Sequence, residues 1–297
     1  MATQTSRFRR GVLASLSAGL LGSGFALAAL GGGAAGAAPL VTNTPRISVP
    51  HHLLNTWAAS NWSGYAETGR YTGVSGTWTV PSVAPSSSAT YSSAWIGVDG
   101  FSNSSLIQTG TEEDFYNGAP HYYAWWEILP AAETLISPSS YPVNAGDRMS
   151  ASIYETAATT GATRNFHRSS TGQHVWVITL SDTTQHWSFP INQGYSGPGT
   201  SAEWIMEAPQ VGGRIATLAQ YTFNSPTGVG DFDNAGTLST VVSSGSPTYT
   251  PAGLNYANDS GVMVQNGAQV STPGHPDGAL TAFNAAYGSA VPPTPPG

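Results

Sequence analysis

The sequence predicts an all-β protein built from antiparallel sheets, arranged as a sandwich or a barrel. Three observations carry this expectation. Beyond Asn61, short apolar or alternating runs recur, each bounded by Gly, Ser, Pro, Asn or Asp. No segment after the first forty residues repeats its apolar positions with a helical period. Runs such as Tyr122-Tyr123-Ala124-Trp125-Trp126 are too continuous for a sheet with one wet face. At least one sheet should therefore be aromatic on both sides, which suits a concave binding surface.

Taken in order, residues 1–38 read as a secretory signal. Ser6 to Arg10 is a basic start, Val12 to Leu30 an apolar Ala/Leu/Gly-rich run, and Ala35-Gly36-Ala37 a small-residue cleavage pattern. The competing reading, a membrane anchor, is disfavoured by the glycines that break the run. Residues 39–59 are polar and punctuated by Pro45, Pro50 and the pair His51-His52, as expected of a pro-segment or linker. The domain is expected over residues 60–290. Its strands include Gly76 to Val80, Ala94 to Val98, Tyr122 to Ile128, Arg148 to Tyr154, His174 to Leu180, Ala202 to Met206 and Ile215 to Phe223. Residues 225–290 are richer in Gly, Ser, Asn and Pro, with weaker strands such as Gly261 to Val264, and are expected to complete the sandwich. Residues 291–297 read as a disordered tail.

Composition narrows the function. Among 297 residues, only 8% are charged, there is no lysine, and all nine basic residues are arginine. Removal of Arg7, Arg9 and Arg10 with the signal leaves six arginines against 16 acidic residues. Such a surface repels nucleic acid and anionic membranes. It also has few carboxylate–cation pairs to lose in acid. The absence of cysteine removes thiol catalysis, disulfides and Cys-ligated zinc. A monomer is expected, without metal or cofactor.

The usual hydrolytic constellations are also missing. No pair of histidines has the H-E-x-x-H spacing of a zinc peptidase, and no G-x-S-x-G elbow occurs. His167, His174 and His186 flank strand-like runs and read as exposed or turn residues. Asp259-Ser260-Gly261 resembles half of an aspartic-peptidase loop but has no second copy. What remains is an amide and a carboxylate about 100 residues apart. Gln108 precedes a turn-like glycine, and Glu207 ends the apolar run Ala202-Glu203-Trp204-Ile205-Met206-Glu207. An amide can polarise a carbonyl and a carboxylate can activate water. The structural alternatives are that Gln108 satisfies backbone groups at a strand edge and that Glu207 caps a strand before Pro209. A sugar-cleaving pair made of Glu203 and Glu207 fails on distance. Four residues along a strand separate them by about 13 Å, whereas retaining and inverting pairs need about 5–5.5 Å and about 6.5–9.5 Å. Glu203 reads as an exposed or supporting carboxylate. A cross-strand pair of Glu127 with Glu207 keeps a carbohydrate-active or carbohydrate-binding protein open as an alternative.

The chain resembles the glutamic peptidases, the eqolisin family. The resemblance rests on five blocks in order: Ser60-Asn61-Trp62-Ser63-Gly64 with Gly76 to Pro81, Ala94-Trp95-Ile96-Gly97-Val98-Asp99-Gly100, Leu106-Ile107-Gln108-Thr109-Gly110, Tyr123-Ala124-Trp125-Trp126-Glu127 with Pro130, and Ala202 to Glu207. It covers about residues 60–223 and fades after Phe223. It implies a sandwich of two antiparallel sheets with jelly-roll, concanavalin-like architecture. It also implies a secreted, acid-acting endopeptidase whose catalytic pair is Gln108 and Glu207. Trp62, Trp95, Asp99, Trp125 and Glu127 align with residues that line or support the family's cleft, so polypeptides are the implied partners. A non-catalytic binding module on the same fold is the other reading. Departures from the fungal members are Tyr123 and Glu112 at aspartate positions and the lack of cysteine.

Overall fold

The structure is a computed structural model that describes residues 39–50, 57–157, 174–222 and 231–296. The expected signal over residues 1–38, His51-His52, His167 and Phe223 lie outside the described residues. Among the described residues, the longer strands are β1 (Trp62–Thr68), β2 (Gly73–Thr79), β3 (Ser93–Val98), β4 (Ile107–Tyr116) and β5 (Ala119–Ile128). They continue with β6 (Arg148–Thr156), β7 (His174–Asp182), β8 (Trp187–Tyr195), β9 (Ser201–Glu207) and β10 (Asp231–Leu238). β11 (Ser260–Gln265), β12 (Ala268–Pro273) and β13 (Phe283–Tyr287) complete the set. The one described helix, Tyr256–Asp259, is four residues long. No helix among the described residues is long and apolar enough to cross a membrane.

These strands form a sandwich of two antiparallel sheets, as the sequence predicts. The front sheet runs β13–β12–β11–β1–β9–β3–β4–β5, and the back sheet β8–β7–β6–β2–β10. β10 pairs with β13 through Asp231↔Asn284 and Phe232↔Phe283, which joins the two layers at one corner. Strands from residues 231–287 thus sit in both sheets. The segment after Val291 is not free of the body: Asn284 donates a side-chain hydrogen bond to the Pro293 carbonyl, and Pro295 is buried. That packing replaces the disordered tail expected from composition, at least through residue 296.

Burial separates the sheets. β6 alternates buried and half-buried residues along its length, the signature of a sheet with one wet face. β9 is buried at all seven positions and β3 at all six. On the front sheet, Ile96, Ile107, Ala124, Trp204 and Met206 face the inter-sheet core with Val74, Trp78, Met149 and Ile153 of the back sheet. The opposite face carries a second apolar cluster that includes Trp62, Trp95, Trp125 and Ile205. Adjacent Trp125 and Trp126 pack on these two different faces. Two indoles also tie the layers together by hydrogen bonds, Trp204 to the Ser75 carbonyl (2.8 Å) and Trp78 to Thr111 Oγ1 (2.9 Å).

Register on the outer face is set locally. The β4–β5 hairpin turns through Asn117-Gly118, with φ of 53° and 78°. Two consecutive positive φ values define the type I′ turn, which Asn-Gly favours and whose twist matches antiparallel strands. The turn pairs Tyr116 with Ala119, and the ladder then carries Gln108 opposite Glu127 and Gly110 opposite Trp125. Gly110 also pairs with Trp95 on β3. A Cβ at Gly110 would lie 2.4 Å from the Ala94 carbonyl oxygen, 2.5 Å from Trp95 Cβ and 2.9 Å from Trp125 Cζ2. Two tryptophans can flank one position because that position has no side chain. Gly110→Ala is expected to destabilise the fold by about 1–3 kcal/mol through overpacking, read as a lowered denaturant midpoint at unchanged m-value.

Candidate active site

Alternation along the front strands puts Gln108, Gly110 and Glu112 of β4, Trp125 and Glu127 of β5, Trp95 of β3, Trp62 of β1 and Glu207 of β9 on one face. Glu207 pairs directly with Trp62 and Ser93. The carboxyl group has no exposed surface. Its Oε2 accepts from Trp62 Nε1 (3.1 Å) and Trp95 Nε1 (3.0 Å), and the two indoles meet edge to face at 5.0 Å. Its Oε1 accepts from Asn61 Nδ2 (3.3 Å) and from the Thr44 backbone N–H (2.9 Å). Burial pushes Glu207 up to about 8, opposed by its hydrogen bonds to Thr44, Asn61 and the indoles.

Gln108 is buried across the same face. Its Nε2 donates to Glu127 Oε2 (2.6 Å) and to the Asn43 carbonyl oxygen (3.3 Å). Glu127 Oε2 also accepts from the Asn43 backbone N–H (3.1 Å). Burial, reinforced by the charge of Glu207, pushes Glu127 up to about 9. Glu112 is buried and accepts from Asn43 Nδ2 (3.2 Å). Burial, with the nearby charge of Asp114, holds its carboxyl well above the usual range.

The groove is therefore filled, and its occupant is the chain itself. Val41–Thr42 pairs antiparallel with Gln210–Val211, just beyond Glu207. The chain then crosses the aromatic face and bridges to the body at Ser48↔Ala59. Gln108 and Glu207 meet on a single peptide unit, the carbonyl of Asn43 and the amide of Thr44. Just before the expected start of the domain, Trp57–Ala59 forms a short strand parallel to β11.

Of the residues expected at the site, Gln108, Glu207, Trp62, Trp95 and Glu127 are linked by hydrogen bonds around this peptide. Trp125 packs in the same cluster with its indole N–H unpartnered. Asp99 does not join them. Its two oxygens accept five hydrogen bonds, from Tyr195 Oη, the Gly199 and Thr200 N–H groups, Thr200 Oγ1 and Asn103 Nδ2. That network anchors residues 195–200 to the end of β3. Glu203 is fully buried, not exposed, and burial keeps its carboxyl well above the usual range. Asn61 was not singled out from sequence, although it lies beside Trp62. It contacts Glu207 and also donates to the Thr44 and Pro45 carbonyls. No group of three or more His, Asp or Glu side chains with metal-binding geometry occurs among the described residues.

A family model described as the Peptidase A4 family matches residues 60–250. The chain belongs to this family, the glutamic peptidases. It is 27% identical over 184 residues to aspergillopepsin-2 from Aspergillus niger, covering 55% of this chain and 61% of the relative. It is 36% identical over 118 residues to scytalidopepsin B from Scytalidium lignicola, covering 39% of this chain and 43% of the relative. These matches span less than two thirds of either relative's length. Among solved structures, scytalido-glutamic peptidase with a transition state analogue inhibitor aligns with a TM-score of 0.55 at 22% identity, over 77% of this chain and 98% of the other. The same peptidase with a peptide-based analogue gives a TM-score of 0.51 at 21% identity, again over 77% and 98%. At such identities the likeness concerns the fold.

Buried carboxyls with raised values fix the sign of the pH dependence of stability. Glu112, Glu113, Glu127 and Glu203 have no exposed surface, and all are raised. Unfolding returns each to its ordinary value near 4.3, so the unfolded chain holds fewer protons. This contribution is fully present below about pH 4.3 and is lost as pH rises toward the folded-state values, about 9 for Glu127. Each proton retained contributes a slope of about 1.4 kcal/mol per pH unit. The thermal midpoint is expected to rise as pH is lowered from 7 to 4.5. A midpoint that falls over this interval would contradict the protonated core.

Proposed function

We propose that this chain is a secreted endopeptidase active in acid, and that it hydrolyses peptide bonds through Gln108 and Glu207. One observation carries the reading. Both side chains engage the same peptide unit, Gln108 Nε2 at 3.3 Å from the carbonyl oxygen and Glu207 Oε1 at 2.9 Å from the amide nitrogen. Burial raises Glu207 while its four donors favour the anion. The ionised fraction is the active form, which accepts a proton from the attacking water and returns it to the departing amine. Gln108 donates a hydrogen bond to the oxygen that becomes negative.

The surrounding groups suit these roles. The two indole N–H groups fix the orientation of the Glu207 carboxylate without adding a competing charge. Glu127 holds the Gln108 amide so that its second hydrogen faces the substrate carbonyl. An amide does not titrate, so the oxyanion donor survives in acid, as does a core in which burial holds Glu112, Glu113, Glu127 and Glu203 neutral. Secretion is supported by the basic start, apolar run and small-residue motif of residues 1–38. The groove takes an extended main chain by hydrogen bonds, which supports a polypeptide rather than a sugar as the substrate.

The test uses two variants whose fold is verified by an unchanged thermal midpoint. On a denatured protein at acid pH, Glu207→Gln is expected to lose about 10²–10⁴-fold in kcat/KM and Gln108→Ala about 10²–10³-fold. Parental rates in either variant would remove that residue from the reaction.

A further inference from the structure

We propose that residues 39–48 are seated as the peptidase's own first substrate, that the bond cleaved is Asn43–Thr44, and that Glu112 selects a carboxamide side chain on the residue whose carbonyl is attacked. This inference rests on the Gln108/Glu207 reading.

The segment is bound on both sides of that peptide in the manner of a substrate strand. Upstream, Val41 and Thr42 pair with Val211 and Gln210, and the Asn43 N–H donates to Glu127. Downstream, the Thr44 carbonyl accepts from Trp62 Nε1 (2.9 Å), the Arg46 N–H donates to the Gly100 carbonyl (3.1 Å) and the Ile47 N–H donates to Asn61 Oδ1 (2.8 Å). Main-chain hydrogen bonds of this kind bind any extended sequence, and pockets for individual side chains supply the selectivity. The Arg46 guanidinium lies over the Phe101 ring at 4.1 Å, a downstream subsite suited to a cation.

At the central peptide, every group needed for hydrolysis has a counterpart. Water oxygen bonds to the Asn43 carbonyl carbon, and one water proton goes to Glu207. The Gln108 amide stabilises the oxyanion. The Asn43 C–Thr44 N bond then breaks, and Glu207 passes its proton to the Thr44 nitrogen that it already contacts. The products are an Asn43 carboxylic acid and a Thr44 amine, and transfer of the remaining water proton from the acid to the amine gives the carboxylate and the ammonium.

The Asn43 side chain lies in a fully buried pocket against Glu112. Its Nδ2 donates to Glu112 Oε1, while Asn43 Oδ1 and Glu112 Oε2 are both buried without a partner. Glu112 carrying a proton supplies the one hydrogen that such a pair lacks, consistent with the upward shift of its carboxyl. An apolar side chain in this pocket removes the Nδ2 donor from the buried Glu112 Oε1, which is how a site rejects an analogue lacking its polar group.

The experiment follows the full chain, purified near neutral pH, after transfer to acid. Intact mass and N-terminal sequencing are expected to show one new terminus at Thr44, formed at a rate independent of protein concentration. If the parent digests a denatured protein yet no Thr44 terminus forms, the cleavage proposal is overturned while the catalytic pair stands. If Glu207→Gln forms the Thr44 terminus at the parental rate, the catalytic pair itself fails. Selectivity is read separately with synthetic peptides of residues 39–50 carrying Asn or Leu at position 43. The parent is expected to prefer Asn by about tenfold in kcat/KM. Glu112→Met should abolish the preference and Glu112→Gln, which can still donate and accept, should keep it. A preference unaltered in Glu112→Met would overturn the role of Glu112.

Discussion

A carboxyl group with no access to water is either neutral or ringed by donors, and Glu207 is ringed. Three of its partners, Asn61, Trp62 and Trp95, belong to the body of the sandwich, and the fourth is the backbone of Thr44. The indoles reach the carboxyl because β1, β9 and β3 are neighbours in register. Trp95 and Trp125 fit beside each other because Gly110 leaves space between them. The strand order, the glycine and the aromatic cluster are thus conditions for one buried oxygen to have its hydrogen bonds.

The same logic explains why the front sheet is buried on both faces. A groove lined by tryptophan and protonated carboxyls is poorly matched to water, and a polypeptide strand covers it with better-matched groups. The strand offers its N–H to Glu207 and Glu127 and its carbonyls to Gln108 and Trp62. Among the described residues the back sheet has no such cover, and its strand β6 shows the ordinary alternation of a sheet exposed on one side.

Much of the framework was legible in the sequence because it depends on local patterns. Alternation and turn residues located most strands, and the continuity of Trp125-Trp126 signalled a sheet apolar on both faces. Gln108 and Glu207 stood out by elimination and by their blocks. What was not legible depends on contacts far apart in the chain. Asp99 sits in a cleft-like block, yet its oxygens are saturated by residues about 100 positions away. From sequence Glu203 reads as exposed or supporting, because spacing along a strand does not reveal what covers the strand; the structure buries it. Nothing local in Leu40-Val41-Thr42-Asn43-Thr44 marks a segment that crosses the groove, since its partners are Gln108, Glu127, Glu207 and Gln210. Asn61 is of the same kind: its neighbour Trp62 is conspicuous, whereas its own role is visible only through what its amide touches.

The way the occupying strand leaves the groove has a kinetic meaning. Ser48 bridges to Ala59 and the Val49 N–H donates to the Ala58 carbonyl. Residues 44–48 are therefore leashed close to the site by this hydrogen-bonded anchor. A ligand held this way has an effective concentration set by its tether, in the millimolar range for short linkers, and dilution does not reduce it. An external peptide must outcompete a neighbour that never diffuses away, so access is governed by the opening of the leash more than by the affinity of the newcomer.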